Sequence, residues 1–174
     1  MYDDSIQQAE RLATLGSGKP KQSDLPLAVS AAYYAVFYLL IDEACCVVVG
    51  ATRAARPYRH ALGRAFTHTT MKLACTSFRG GNLKATVVKG LPRNPAGQYA
   101  IANEIREIAG VFVELQEARY LASYDLSEQF ARSAVVALID RARRAADAFR
   151  ALPESADRKF FLACLWSWKE LVNR

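Results

Sequence analysis

The chain has 174 residues, a 52% apolar composition and a formal net charge of +6. That length is enough to bury a core without disulfide staples, and that composition excludes a disordered chain. Of the four cysteines only Cys45 and Cys46 are adjacent, and no Cys/His spacing suits a metal, so neither a metal nor a cofactor is expected.

Residues 2–15 predict a first amphipathic helix with Ile6, Ala9, Leu12 and Ala13 on one face. The opening MYDDSIQQAE is acidic and polar, the opposite of a secretory leader's basic start, so a cytoplasmic protein is expected. Turn formers follow over 16–24. The stretch 25–50, LPLAVSAAYYAVFYLLIDEACCVVVG, then organises the chain. It carries no charge from Leu27 to Ile41, across 15 residues. A bilayer span needs about 20 apolar residues, and Asp42 and Glu43 interrupt this run, so no membrane partner is expected. A strand mostly runs about 4–8 residues. A helix apolar nearly all round remains, buried on most of its surface, with Asp24 as N-cap, Pro26 in its first turn and Gly50 as its stop.

Residues 51–57 are a short basic connection. A third helix is predicted from about Pro57 to Phe78, with Ala61, Ala65, Phe66, Met71 and Leu73 inward. Thr67, Thr69 and Thr70 weaken its middle, where a break or kink would fall. Residues 79–97, RGGNLKATVVKGLPRNPAG, form a long basic loop whose apolar piece 85–88 either tucks against the body or makes a strand. From Gln98 a fourth helix of about seven turns places Ile101, Ile105, Ile108, Phe112, Leu115, Arg119 and Ala122 on one stripe. Asp125 and Glu128 form a capping box for a fifth helix over 126–152, with Phe130, Ala134, Leu138, Ala145 and Phe149 inward. Ser155 caps a sixth, which carries Phe160, Phe161, Leu165, Trp166 and Trp168. The expected fold is all-α: an antiparallel bundle of four to six helices in one domain over 1–174. Within it 1–23 is an N-terminal helix and linker, 24–152 the core and 153–174 a C-terminal helix.

Charge is unevenly spread. Residues 44–103 hold no Asp or Glu but nine basic residues: Arg53, Arg56, Arg59, Arg64, Lys72, Arg79, Lys84, Lys89 and Arg93. Both histidines, His60 and His68, lie there too. The rest of the chain has 14 basic and 17 acidic residues. Such asymmetry points to a polyanionic partner. Phosphate-loop, dinucleotide, HExxH and GxSxG motifs are all missing. His60 and His68, eight residues apart, would share one side of a single third helix. They would form a polar surface pair or a pair of proton-transfer groups.

Ser30-Ala31-Ala32-Tyr33-Tyr34-Ala35-Val36-Phe37 resembles the S-R-A-Y-Y-A-x-F helix of the HEPN superfamily, small helical bundles named for nucleotide binding. His60 followed by Phe66 resembles the H…F segment of their next helix. Arg119-Tyr120-Leu121-Ala122-Ser123-Tyr124-Asp125 resembles their R-x-x-A-D-Y helix end. The three stretches keep that order across about 25–150. HEPN ribonucleases resemble one another in an Arg-x4–6-His motif completed across a dimer. Arg119 stands at its arginine position and Tyr124 where histidine is expected. A phenol with a reference pKa near ~10 is a poor general base, and Ala31 replaces the first motif's arginine. Arg64 and His68, one residue too close and in another helix, are no substitute.

The resemblance therefore implies a module that binds RNA or a nucleotide-bearing polyanion without cutting it. The contact surface would be the acid-free region: Arg53, Arg56, Arg59, His60, Arg64, Lys72, Arg79, Lys84 and Lys89. The alternatives are a homodimer or the partner of a nucleotidyltransferase-like toxin–antitoxin protein, using Trp166 and Trp168, and a metal-independent ribonuclease using Arg119 and Tyr124. Structural roles compete: Tyr33 and Tyr34 as packing residues, and Arg119 neutralised by Asp42 or Glu43, since a core-facing arginine needs a partner.

Overall fold

The computed structural model describes residues 2–15, 24–81, 83–124 and 130–173, and among them it shows seven helices and no strand. The all-α class holds, with one helix more than expected. In chain order the helices are α1 (Tyr2–Thr14), α2 (Asp24–Val49), α3 (Arg56–Gly63), α4 (His68–Gly80), α5 (Asn103–Tyr124), α6 (Arg132–Ala151) and α7 (Ala156–Val172). They assort into two compact units. The first comprises Met1–Leu39 and Val111–Ala151, the second Leu40–Gly110 and Leu152–Arg174.

In the first unit α1 packs on α6. Tyr2, Ile6, Ala9 and Ala13, spaced by three and four, form the buried stripe of α1, with Leu12 half-buried beside it. Val135, Ile139, Ala142, Ala145, Ala146 and Phe149 are the buried residues of α6. Ala145 and Phe149 are buried as expected, but in the first half of the helix the register differs: Ala134 is exposed and Leu138 only half-buried. Among the described residues Phe130 and Ala131 are not helical, and α6 starts at Arg132. The Asp125–Glu128 capping box lies outside the described residues. Polar tethers join α1 and α6 at the rim. Arg150 reaches Asp3 at 3.2 Å and lies 5.4 Å over the Tyr2 ring. Arg143 meets Glu10 at 3.6 Å. Exposed pairs of this kind contribute about 0–1 kcal/mol each, so apolar burial holds the two helices together.

The second unit is built on α4 against α7. Met71, Ala74, Cys75 and Phe78 of α4 are buried, as are Phe161, Leu162, Cys164, Leu165 and Trp168 of α7. Phe78 meets Phe161 edge-on at 4.9 Å and Trp168 at 6.1 Å. The predicted third helix is here divided into α3 and α4. Thr67 is extended (φ −119°, ψ 143°), and its Oγ1 accepts the Thr70 N–H at 3.2 Å. A threonine able to cap a new helix competes with one that continues the old, and capping wins. The break re-aims the flanking residues. Phe66 and Met71 are buried, while Ala61, Ala65 and Leu73 face water. Phe66 packs edge-on against Trp166 at 5.3 Å.

Asp24 is the first residue of α2, and Gly50, at φ +83°, follows its end. Leu25, Ala28, Val29, Ala32, Tyr33, Val36 and Leu40 are buried, while Leu27, Tyr38 and Val48 are exposed. At 26 residues α2 is longer than its charge-free stretch, and it is long and apolar enough to cross a membrane by length and composition. Half of its most apolar window is buried inside the protein. α5 starts at Asn103, not Gln98, and buries Ile105, Ile108, Phe112 and Leu115 as the periodicity demands. Ser155 caps α7 as expected, its Oγ accepting the Arg158 N–H at 3.1 Å.

Candidate nucleic-acid interface

The acid-free run 44–103 lies wholly in the second unit. That unit holds 14 basic and 7 acidic residues, and the first unit 9 and 10. The second unit therefore carries a net +7 and the first −1, a milder split than the +9 of the acid-free run against −3 for the rest, because the second unit also takes in seven carboxylates.

Within the run the basic side chains separate by role. Arg56 and His60 are four apart on α3 and both exposed, so they share one face of that helix. Arg53 precedes α3 and Arg64 follows it, and both are exposed. Lys72 and Arg79, seven apart on α4, also share a face, Lys72 half-buried and Arg79 exposed. Lys84 and Lys89 are exposed on the segment after α4. Among the described residues Arg53, Arg56, Arg64, Arg79, Lys84 and Lys89 have no carboxylate partner.

Arg59 is different. Its Nη1 donates to the Gly50 carbonyl at 2.8 Å and the Thr52 carbonyl at 3.0 Å, and its Nε lies 3.6 Å from Asp42. It neutralises the C-terminal end of α2, where carbonyls have lost their helical partners, and so it serves the fold. His60 and His68 stand on separate helices, α3 and the first turn of α4, so the single-helix pair is not formed.

The segment after α4 is irregular but well tied. Gly81 closes α4, its N–H returning to the Phe78 carbonyl at 3.1 Å. Residues 85–88 make turns, not a strand, and Val87 tucks in to 6% exposure. Further on, Gly97 donates to the Asn94 carbonyl at 2.8 Å, Asn94 to the Gln98 carbonyl at 2.8 Å, and Gln98 N–H to Asn94 Oδ1 at 2.9 Å. Gly97 needs its φ of +75° to close this turn. Arg93 Nη1 donates to the Gly97 carbonyl at 2.9 Å. Tyr99 Oη donates to Asp157 at 2.8 Å, and burial together with that bond pushes its phenol well above its usual range. An open cleft of about 280 Å³ lies in this segment, lined by Leu83, Ala85, Val88, Arg93, Gln98 and Tyr99 with Gly81 and Gly97.

The residues named for catalysis belong to the first unit. Arg119 is half-buried, donates to Tyr34 Oη at 3.0 Å, and lies 5.6 Å and 5.4 Å from the centres of the Tyr33 and Tyr34 rings. Tyr33 is fully buried and packs on Phe37 at 5.8 Å and Phe112 at 5.7 Å, so it builds core, while Tyr34 is half-buried beside it. Two aromatic faces and a phenol hold the Arg119 cation. The acids expected beside it are taken by other arginines: Asp42 by Arg59, and Glu43 by Arg158 at 2.7 Å. The side chain of Tyr124 lies outside the described residues.

Three of the four thiols are buried. Burial, then the Asp42 charge, pushes Cys45 up to about 11. Burial pushes Cys164 up to about 12 and Cys75 higher still. All three are inert at neutral pH. Trp168 is buried at 3% exposure and Trp166 is half-buried against Phe66, so both serve the core of the second unit.

Set against protein-family models, curated proteins and solved structures, the chain matches none.

Proposed function

We propose that the chain is a non-cleaving RNA-binding module of the HEPN type, acting in the cytoplasm, whose second unit supplies the contact surface. The observation that carries this reading is the group of six exposed Arg and Lys side chains without a carboxylate partner among the described residues. Unpaired cations on one acid-depleted unit attract a polyanion and gain from counterion release when they meet phosphates. Arg53, Arg56, Arg64, Arg79, Lys84 and Lys89, with His60 and Lys72, are the contacts, and Arg59 is left to the fold. The S-A-A-Y-Y-A-V-F helix and the Arg119–Tyr124 stretch, by their resemblance to HEPN proteins, favour a nucleotide-bearing partner. Arg119 held by two tyrosines, with no histidine at position 124, favours binding over cleavage.

The test is a salt titration with a fluorescein-labelled single-stranded 12-mer RNA. Each phosphate contact adds roughly −0.7 to the log–log slope, so six to eight contacts give about −4 to −6. Arg56→Gln and Arg64→Gln each reduce the slope by about one contact. A flat titration refutes the reading.

A second reading is favoured by Tyr38, Tyr120 and Leu121 of the first unit, which are 40%, 62% and 40% exposed. Large apolar groups in water suit a protein interface, either a homodimer or a nucleotidyltransferase-like partner. Sedimentation at two concentrations, with and without the RNA, separates the two.

A further inference from the structure

The cleft between Gly81 and Tyr99 has features that a phosphate-binding surface does not need. At about 280 Å³ it falls just below the ~300–1,000 Å³ of whole-ligand pockets, which suits a fragment such as one planar ring. Its walls are of three kinds. Leu83, Ala85 and Val88 are apolar, Tyr99 supplies an aromatic ring, and Arg93 and Gln98 bring a guanidinium and an amide. The ring is fixed from both ends, by its hydroxyl on Asp157 at 2.8 Å and by an edge-on contact with Phe160 at 6.1 Å. The guanidinium is held by one nitrogen on the Gly97 carbonyl, and its other N–H groups have no partner among the described residues. The Asn94–Gln98 bonds hold the rim. Arg79, Lys84 and Lys89 stand before or within the same segment, two on its described loop and one at the end of α4.

We propose that this cleft is a base-binding recess: it takes one unstacked nucleobase of the single strand whose phosphates the surrounding cations hold. Proteins read single-stranded RNA by stacking splayed bases on aromatic or guanidinium planes and by bonding their edges, and this lining offers both. The inference rests on the RNA-binding reading and adds the base to it.

The experiment compares full-length protein binding a 12-nucleotide oligouridine, a 12-nucleotide oligoadenosine and an abasic ribose-phosphate 12-mer of equal charge, at one salt concentration. The better base-bearing strand binds at least about fivefold tighter than the abasic strand, since stacking is worth about 1–3 kcal/mol per base. Arg93→Gln and Leu83→Ala each remove that preference, and Leu83→Ala leaves abasic binding within twofold. Arg56→Gln weakens all three strands alike. Equal binding of base-bearing and abasic strands overturns the recess and leaves the RNA-binding reading standing. So does a loss in Leu83→Ala that is the same for all strands. If no strand binds even at low salt, both readings fall.

Discussion

Arg158 is the one buried charged side chain among the described residues. It is 7% exposed, and its Nη2 donates to Glu43 at 2.7 Å across 115 positions of sequence. Its backbone N–H meanwhile receives the Ser155 cap. Arg158→Ala strands the Glu43 carboxylate and removes a packed aliphatic stem. Breaking one partner of a buried pair costs about 3–5 kcal/mol. Glu43 is 28% exposed and can recover some water, so the lower end applies, about 3 kcal/mol. With a urea m-value of about 2 kcal/mol/M, the midpoint falls by roughly 1.5 M. Both tryptophans lie in α7, so their fluorescence reports the second unit, while circular dichroism at 222 nm reports helix throughout. The fluorescence transition moves first in this variant. The neutral pair Glu43→Gln with Arg158→Met, similar in volume and without buried charge, restores stability to within about 1 kcal/mol of wild type. If Arg158→Ala lowers stability by less than about 1 kcal/mol, or the double variant is as unstable as the single, the ion pair is not what joins α2 to α7.

Arg59→Gln loses the Gly50 and Thr52 carbonyl contacts and costs about 1–2 kcal/mol in a thermal melt, whereas Arg56→Gln, on the exposed face of α3, changes stability by less than about 0.5 kcal/mol. Equal losses would deny Arg59 its place at the end of α2. Tyr34→Phe removes the acceptor for Arg119 and costs about 1 kcal/mol, read by urea denaturation. A labelled RNA left with wild type or with Arg119→Ala stays intact, and cleavage by wild type alone would move the first unit into catalysis. The buried thiols set an alkaline limit. Their folded pKa values lie above the usual 9.0, so protonation favours the folded state, fully so below pH 9. Stability is lost as pH rises from about 9 towards 11 and 12, the values for Cys45 and Cys164. Urea midpoints at pH 8, 9, 10 and 11 show this fall, and a flat series contradicts it.

Helix content was legible because the periodicities of α1, α5 and α7 are strong and their buried stripes fall where three- and four-residue spacing puts them. Register in the first half of α6 was not, because an apolar residue just outside a helix reads like one inside it: Phe130 put Ala134 and Leu138 on the inner face, whereas Ala145 and Phe149 further along are buried as expected. The partners of Asp42 and Glu43 were equally hidden, since charge pairing over long separations leaves no local trace. One signal did exist. Arg158 falls on the stripe Phe161, Leu165 and Trp168, and a cation on a buried stripe must have a partner. The cleft after α4 was visible only as a glycine- and proline-rich loop, because its walls come from turn geometry that composition does not specify.

Each compact unit is assembled from two pieces of chain separated by the other's sequence. During synthesis the first cannot be completed until residue 151 has left the ribosome, and the second not until α7 has followed. Until then much of α2 waits with its greasy side chains uncovered, a state that invites aggregation or chaperone capture. Fragments cut at any single position leave at least one unit without its second piece, so expression of contiguous halves should yield insoluble protein. Adding α7 back as a separate peptide tests whether α4 can still recruit it.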